Sequence, residues 1–220
     1  MNTTTNDVVS RLAALPTATI SDALDSLGIH GTLHGLAPLT YGFRAAGPAF
    51  TVQYEASGTE RGSVGDFLDD VPPGAVVLID NNGRTDVTVW GGIMTEIAAA
   101  RGIGGTVING VCRDVATSLE QHYPLFSRGR FMRTGKDRVR LVAVNTELTI
   151  NEVRIAPQDI LCGDADGALA VPAAFAERVA AIAEQIEDTE ARIIEAVRNG
   201  STLVQARADL GYHDLQWRKA

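Results

Sequence analysis

Residues 75–114 read AVVLIDNNGRTDVTVWGGIMTEIAAARGIGGTVINGVCRD. Residues 75–80 form a near-continuous apolar run, as expected of a strand buried on both faces. A polar loop follows at 81–86. Residues 92–101 (GIMTEIAAAR) read as a helix that ends at Gly102. Residues 106–109 (TVIN) give a second buried strand, ending at Asn109. The succession predicts a β-α-β unit with parallel strands and a right-handed crossover. The expected fold class is therefore α/β.

Working outward, residues 6–15 have helical spacing at Val8, Leu12 and Leu15, and Pro16 stops the helix. Residues 17–28 read as a second short helix, with Ala23, Leu24 and Leu27 on its apolar face and Thr19 or Ser21 as its cap. Residues 29–47 read mostly as loop, and 48–54 (PAFTVQY) as an alternating strand. Short strands are expected at 139–144, 148–150 and 159–162, and a turn followed by a strand at 163–172. Residues 173–198 form a long amphipathic C-terminal helix whose stripe is Phe175, Val179, Ile182, Ile186, Ile193 and Val197. Residues 201–220 are a polar tail containing a short helix, LVQARADL.

The 220 residues are 45% hydrophobic and 21% charged, enough apolar material for one folded domain over 1–220, with a core at about 17–198 and a tail at 199–220. Nineteen basic against 27 acidic residues give a net charge of −8, which argues against a nucleic-acid partner. No apolar stretch approaches the roughly 18–20 residues of a membrane span. The N-terminus lacks the basic and apolar regions of a secretory signal, so a cytoplasmic setting is expected. Cys112 and Cys162 have no ligand spacing, and His30, His34, His122 and His213 form no HxxxH pair. Cys112 reads as a small buried apolar residue.

The chemistry-bearing residues collect at one edge of the predicted sheet. The first N–H groups of the helix, at Gly92, Ile93 and Met94, have no intrahelical partner. Gly91 and Gly92 carry no side chains, so a carboxylate or phosphate can approach that backbone. The second strand runs into a loop, residues 110–114, that carries Arg113 and Asp114. In a parallel sheet both loops leave the carboxyl edge, where ligands bind. Arg113 can grip a carboxylate or a developing enolate oxygen. Asp114 can hold a hard divalent cation, which commonly takes only one or two protein carboxylates. An α-keto acid held by this trio suits retro-aldol cleavage or decarboxylation, which share a pyruvate enolate.

The stretch from Val76 to Gly129, with TISDALDSLG near residue 20 and GDADGALAVP near residue 165, resembles the class II 4-hydroxy-4-methyl-2-oxoglutarate aldolases. That family also contains the regulator of ribonuclease activity A (RraA). The core pattern is Gly92, twenty residues, then Arg113-Asp114, flanked by WGG and the later FSRG. The resemblance covers roughly residues 17–198. It implies a layered α/β/α sandwich like the swivelling phosphohistidine domain, and a homotrimer or dimer of trimers with sites at subunit interfaces. It also implies that the backbone of Gly91, Gly92, Ile93 and Met94 binds the pyruvoyl carboxylate. Arg113 would then contact the keto or enolate oxygen, Asp114 would ligate Mg²⁺ or Mn²⁺, and Lys136 would touch a distal carboxylate. Thr117 stands where many active members carry an acid.

Other acids are weaker candidates. Asp22, Glu187, Glu190 and Glu195 are placed either to reach a neighbouring subunit's site or to form solvated helix faces. Asp164 and Asp166 read as turn residues. The expected function is a divalent-metal-dependent carbon–carbon lyase that cleaves a 4-hydroxy-2-oxo acid to pyruvate and decarboxylates oxaloacetate. The alternatives are a non-catalytic protein-binding regulator of a ribonuclease, or an enzyme of the same fold acting on a different keto or hydroxy acid.

Overall fold

The structure is a computed structural model that describes residues 3–58, 62 and 64–212. His213 and the end of the polar tail lie outside the described residues. Helices α1 (Thr3–Ala14) and α2 (Thr17–Ser26) come first, then strands β1 (Ala37–Pro38), β2 (Ala45–Ala56) and β3 (Val76–Asp80). Helix α3 (Gly92–Ala100), β4 (Gly105–Cys112), α4 (Val115–Glu120), β5 (Leu125–Arg130) and β6 (Val139–Val144) follow. The chain continues through β7 (Leu148–Ile150), β8 (Val153–Ile155), β9 (Ile160–Asp164) and β10 (Gly167–Val171). It ends in α5 (Ala176–Arg198) and α6 (Leu203–Asp209).

The main sheet has the order β1-β5-β4-β3-β2-β9-β10. Strands β2, β3, β4 and β5 run parallel, so the β-α-β unit read in the sequence is present. The far edge of β2 is shared between two antiparallel partners. Strand β9 takes Ala45–Pro48, and β6 takes Val52–Ala56. The sheet curls because one segment spans both ends: Thr32 bridges to Leu169 on β10, and Ala37 pairs with Ser127 on β5. The result is nearly a barrel.

Strand β2 shows how the layers lie. Its even residues Phe50, Val52 and Tyr54 pack with Trp90, Met94 and Ala98 under α3, while Ala46 packs with the apolar faces of α1, α2 and α5. Both helical layers thus cover the convex face. Odd residue Ala49 faces the concave side, packed with Val76, Leu78, Val107 and Phe126 and plugged by the β7–β8 hairpin through Leu148, Ile150, Val153 and Ile155.

Several boundaries differ from the sequence reading. Strand β2 begins at Ala45 rather than residue 48, because its first residues pair with β9. Strand β4 runs to Cys112 rather than ending at Asn109, since pairing with β5 resumes after a slip in register. The sequence carries no distinct signal for helix α4 or for strands β5 and β8. Helix α5 begins at Ala176, after a tight turn at Ala173–Phe175. In the stripe of α5, Val179, Ile186 and Ile193 are buried, but Phe175 and Val197 are exposed. Glu177 and Glu184 both bind Arg11 of α1 at 2.7 Å.

The cap of α2 is also not where the sequence suggested. Thr19 is buried inside the helix and donates to Glu187 at 2.9 Å. Pro16 occupies the cap position and offers no side-chain acceptor. The acceptor is Asp164, from the end of β9, which takes the Thr17 N–H at 2.8 Å and the Thr17 hydroxyl at 2.5 Å. Asp164 also accepts the N–H of Asp166 at 3.0 Å. Burial works against its charge, but the bonds from Thr17 and Asp166 and the nearby Arg44 outweigh it and hold its pKa below the usual carboxylate value.

Candidate active site

The loop after β3 and the end of β4 meet at the sheet's carboxyl edge. Thr88 fixes the approach: its single hydroxyl hydrogen is shared between the carbonyls of Trp90 and Val111, both 2.9 Å from Oγ1. The buried Trp90 stacks on Tyr123 with ring centroids 5.9 Å apart, and its indole N–H reaches Thr95 at 2.9 Å. The Trp90 carbonyl accepts the Arg113 N–H at 3.0 Å. These bonds lock the chain entering α3 to the chain leaving β4.

At that junction Asp114 adopts a left-handed conformation, φ 55° and ψ 43°. The carboxylate crosses to α3, where Oδ2 accepts the Gly92 N–H at 2.8 Å. Arg113 Nε lies 3.5 Å from the same oxygen. Gly91 is in the extended backbone region, so its requirement is space rather than conformation. A Cβ on Gly91 would sit 2.9 Å from Asp114 Oδ2 and 3.2 Å from Arg113 Nε. A Cβ on Gly92 would meet Thr117 Oγ1 at 3.3 Å, looser contact than at Gly91.

A cavity of about 210 Å³ opens here, lined by Val64, Thr88, Trp90–Met94, Arg113, Asp114, Thr134 and Gly135. Gly91, Gly92, Ile93, Met94, Arg113 and Asp114 are therefore brought together. One refinement is physical: the Gly92 N–H is already occupied by Asp114. The N–H groups of Ile93 and Met94 remain without an intrahelical acceptor. The Arg113 and Asp114 side chains are 39% and 48% exposed, so both are reachable by a ligand. Lys136 is exposed and does not line the cavity, though its neighbours Thr134 and Gly135 do. Val64, Thr88 and Thr134 escaped the sequence reading, since isolated Val and Thr positions carry no motif.

The remaining acids lie elsewhere. Asp22, Glu187 and Glu190 group on the α2–α5 face, where burial, then the Glu187 and Asp22 charges, push the Glu190 carboxyl upward. Asp166 is exposed in the β9–β10 turn. Cys112 is fully buried, as expected, and burial raises its thiol pKa.

No trio of His, Cys, Asp or Glu is gathered to hold a metal among the described residues. The donor set fits a hard cation that keeps most of its waters. The bond to Gly92 uses only Oδ2 of Asp114, and a single carboxylate suffices for Mg²⁺ or Mn²⁺. No described helix is long and apolar enough to cross a membrane.

The chain is thus a curled α/β sheet with a helix N-terminus, an arginine and one carboxylate meeting at its edge. Comparison with known proteins places it more narrowly. Residues 17–170 match the RraA-like (aldolase/RraA) family model, and the chain belongs to that family. It is 41% identical to DlpA of Legionella pneumophila over 94% of this chain, but the match spans only 34% of that longer protein. It is 33% identical to a Halalkalibacterium halodurans protein named "Putative 4-hydroxy-4-methyl-2-oxoglutarate aldolase", covering 84% of this chain and 87% of that one. A crystal structure of an uncharacterized Pseudomonas syringae pv. tomato protein superposes with a TM-score of 0.85 at 48% identity, covering 92% of this chain and 97% of that one. Streptomyces coelicolor RraAS2, described as an unusual member of the RNase ES inhibitor RraA family, superposes at 0.73 with 25% identity, over 84% and 93% of the two chains.

Proposed function

We propose that the chain is a divalent-metal-dependent carbon–carbon lyase. It would cleave a 4-hydroxy-2-oxo acid, such as 4-hydroxy-4-methyl-2-oxoglutarate, to pyruvate, and decarboxylate oxaloacetate in the same pocket. The observation that carries this reading is the convergence of Arg113, Asp114 and the α3 N-terminus on one cavity, with Asp114 2.8 Å from the Gly92 N–H. The aldolase name of the H. halodurans relative supports it.

In this reading the Ile93 and Met94 N–H groups bind the substrate's C1 carboxylate, aided by the positive end of the helix. Asp114 would hold Mg²⁺ or Mn²⁺. The cation, when bound, supplies Lewis acidity toward the 2-oxo oxygen. Arg113 faces that same oxygen, where negative charge builds as the C3–C4 bond breaks. The 4-hydroxyl passes its proton to a water held near Arg113 and becomes the carbonyl of the departing fragment. The electron pair of the broken bond enters the enolate of pyruvate. That water then delivers the proton it took up to C3, which completes pyruvate and returns the water to its neutral state. Lys136, beside the cavity wall, meets the distal carboxylate.

A homotrimer or dimer of trimers agrees with the exposure of Ile93, which lines the cavity, and of Met132, 79% and 75%; a neighbouring copy would cover them. The test is pyruvate release from oxaloacetate and from 4-hydroxy-4-methyl-2-oxoglutarate, with Mg²⁺ and with EDTA. Magnesium-dependent release from either supports the lyase. Release no faster than with the metal alone refutes it and favours a binding role in ribonuclease regulation or a different acid substrate.

A further inference from the structure

Strand β4 does not pair evenly with β5. Ile108 lies opposite Ser127, yet Val111 lies opposite Gly129, so β4 carries one more residue than β5 across this stretch. Asn109 and Gly110 together face the single Arg128. This is a bulge between parallel strands, where bulges are rare. Gly110 lets it close against the neighbouring loop: a Cβ there would lie 3.1 Å from Asn81 Cβ and 3.3 Å from the Arg84 carbonyl oxygen.

Asn109 is the hub of the bulge. Its Nδ2 donates to Asp80 Oδ1 at 2.7 Å, and its Oδ1 accepts from Arg128 Nε at 2.6 Å. Its carbonyl accepts the N–H groups of both Asn81 and Gly83 at 3.1 Å. The carboxylate only accepts and the guanidinium only donates, so the two neighbours dictate which way the amide faces. Asp80 and Asn109 are both buried. Arg128 is anchored in turn by Asn151 of the β7–β8 turn, at 3.0 Å. Beyond the bulge, pairing resumes at Val111 and Cys112, and the strand delivers Arg113 to the Trp90 carbonyl and Asp114 to the Gly92 N–H.

We propose that Asn109, clamped between Asp80 and Arg128, is the positioning residue of the candidate site. It fixes the bulge, and the bulge sets how far along the sheet edge Arg113 and Asp114 project. Removing the extra residue from the pairing would displace the strand end by one residue, about 3.3 Å, and turn the alternating side chains over. The kinetic and Mn²⁺ arms of the test rest on the functional reading above; the Trp90 arm does not.

The test uses Asn109→Asp, Asp80→Asn and the double variant in the full chain, with Trp217→Phe so that Trp90 is the only tryptophan. Asn109→Asp sets two carboxylates face to face. Asp80→Asn alone keeps its bonds, because Oδ1 accepts from both Asn109 and Asn82. In the double variant the two carboxylates no longer face each other and an amide at position 80 can donate to position 109, but the Asn82 N–H loses the acceptor it shared at Asp80 Oδ1. The expected result for Asn109→Asp is a change in the Trp90 near-ultraviolet circular dichroism, Mn²⁺ affinity lower by about tenfold and pyruvate turnover lower by about 100-fold. Asp80→Asn should resemble the parent, and the double variant should recover all three signals in part, short of the parent by the lost Asn82 bond. Should Asn109→Asp not fold, Arg128→Lys, which keeps the charge but loses the Nε contact, replaces it. A folded Asn109→Asp with the parent Trp90 signal and Mn²⁺ affinity overturns the proposal, as does a double variant that recovers melting temperature but not these signals. If the parent releases no pyruvate, the lyase reading fails, while the Trp90 signal still decides the role of Asn109.

Discussion

Asp114 Oδ2 accepts the backbone N–H of Gly92 at 2.8 Å, so the carboxylate proposed to hold a cation also caps the helix proposed to bind the substrate. Losing it should therefore have two separable effects. Asp114→Ala is expected to abolish metal-dependent pyruvate release and to lower stability by about 1 kcal/mol, the usual worth of a helix cap. Asp114→Asn, which keeps an acceptor, should lose the activity with a smaller stability change. Urea unfolding and a coupled pyruvate assay would separate the two. Full activity in either variant would remove Asp114 from the metal site.

The two glycines of WGG should not be equivalent. Gly91→Ala places a methyl 2.9 Å from Asp114 Oδ2, and the carboxylate has to move. Gly92→Ala meets Thr117 and Asp114 at 3.3–3.4 Å, which small adjustments absorb. The expected order of loss in kcat/KM is Gly91→Ala well above Gly92→Ala, with both variants folded by circular dichroism. The reverse order would mean that the site closes differently.

Asp164 links stability to pH. Its pKa is lowered in the folded state, so the unfolded chain binds more protons in the acid range. The stability it contributes is present above the ordinary carboxylate pKa of about 4, and it is lost as pH falls through the lower folded value. Asp164→Asn should cost about 1–2 kcal/mol at pH 7. It should also flatten the decline in stability below pH 4. Denaturant midpoints at pH 7, 4 and 3 test this, and an unchanged slope would count against it.

The β7–β8 hairpin turns on Asn151 and Glu152, both with positive φ, 50° and 68°. Asparagine tolerates that region, and glutamate does not readily. Glu152→Gly is expected to stabilise the protein by about 1 kcal/mol, raising the melting temperature by about 2–4 °C. A lower melting temperature would show that the Glu152 side chain has a contact worth more than the strain.

Both thiols should be silent. Cys112 is buried with a raised pKa, and burial pushes Cys162 up to about 12. Neither is expected to react with Ellman's reagent at pH 8 until the chain is unfolded. Rapid labelling of the native protein would reveal an opening not present in the structure.

The β-α-β unit and the convergence of Gly91–Met94 with Arg113–Asp114 were legible because apolar runs and helix signals are local. Long-range devices were not. Asp164 reads as a turn residue, and its role as the cap of Thr17 depends on β9 lying beside α2. Thr19 looked like a cap by composition but is buried in the helix. The bulge at Asn109 disguised the end of β4, because glycine and asparagine in sequence signal a loop while here they remain in the sheet. The segment LFSRGR is too polar and glycine-containing to read as a strand, and becomes β5 only by pairing with β4.

Strand β2 has a consequence for biosynthesis. Two of its partners, β6 and β9, follow it only much later in the sequence. On the ribosome β3 can fill one edge soon after, but the other edge is completed only once residues beyond 160 have emerged. Pairing between such distant segments is slow, and unfilled strand edges invite association with other chains. The nascent protein is therefore expected to depend on chaperones until β9 arrives to close the sheet.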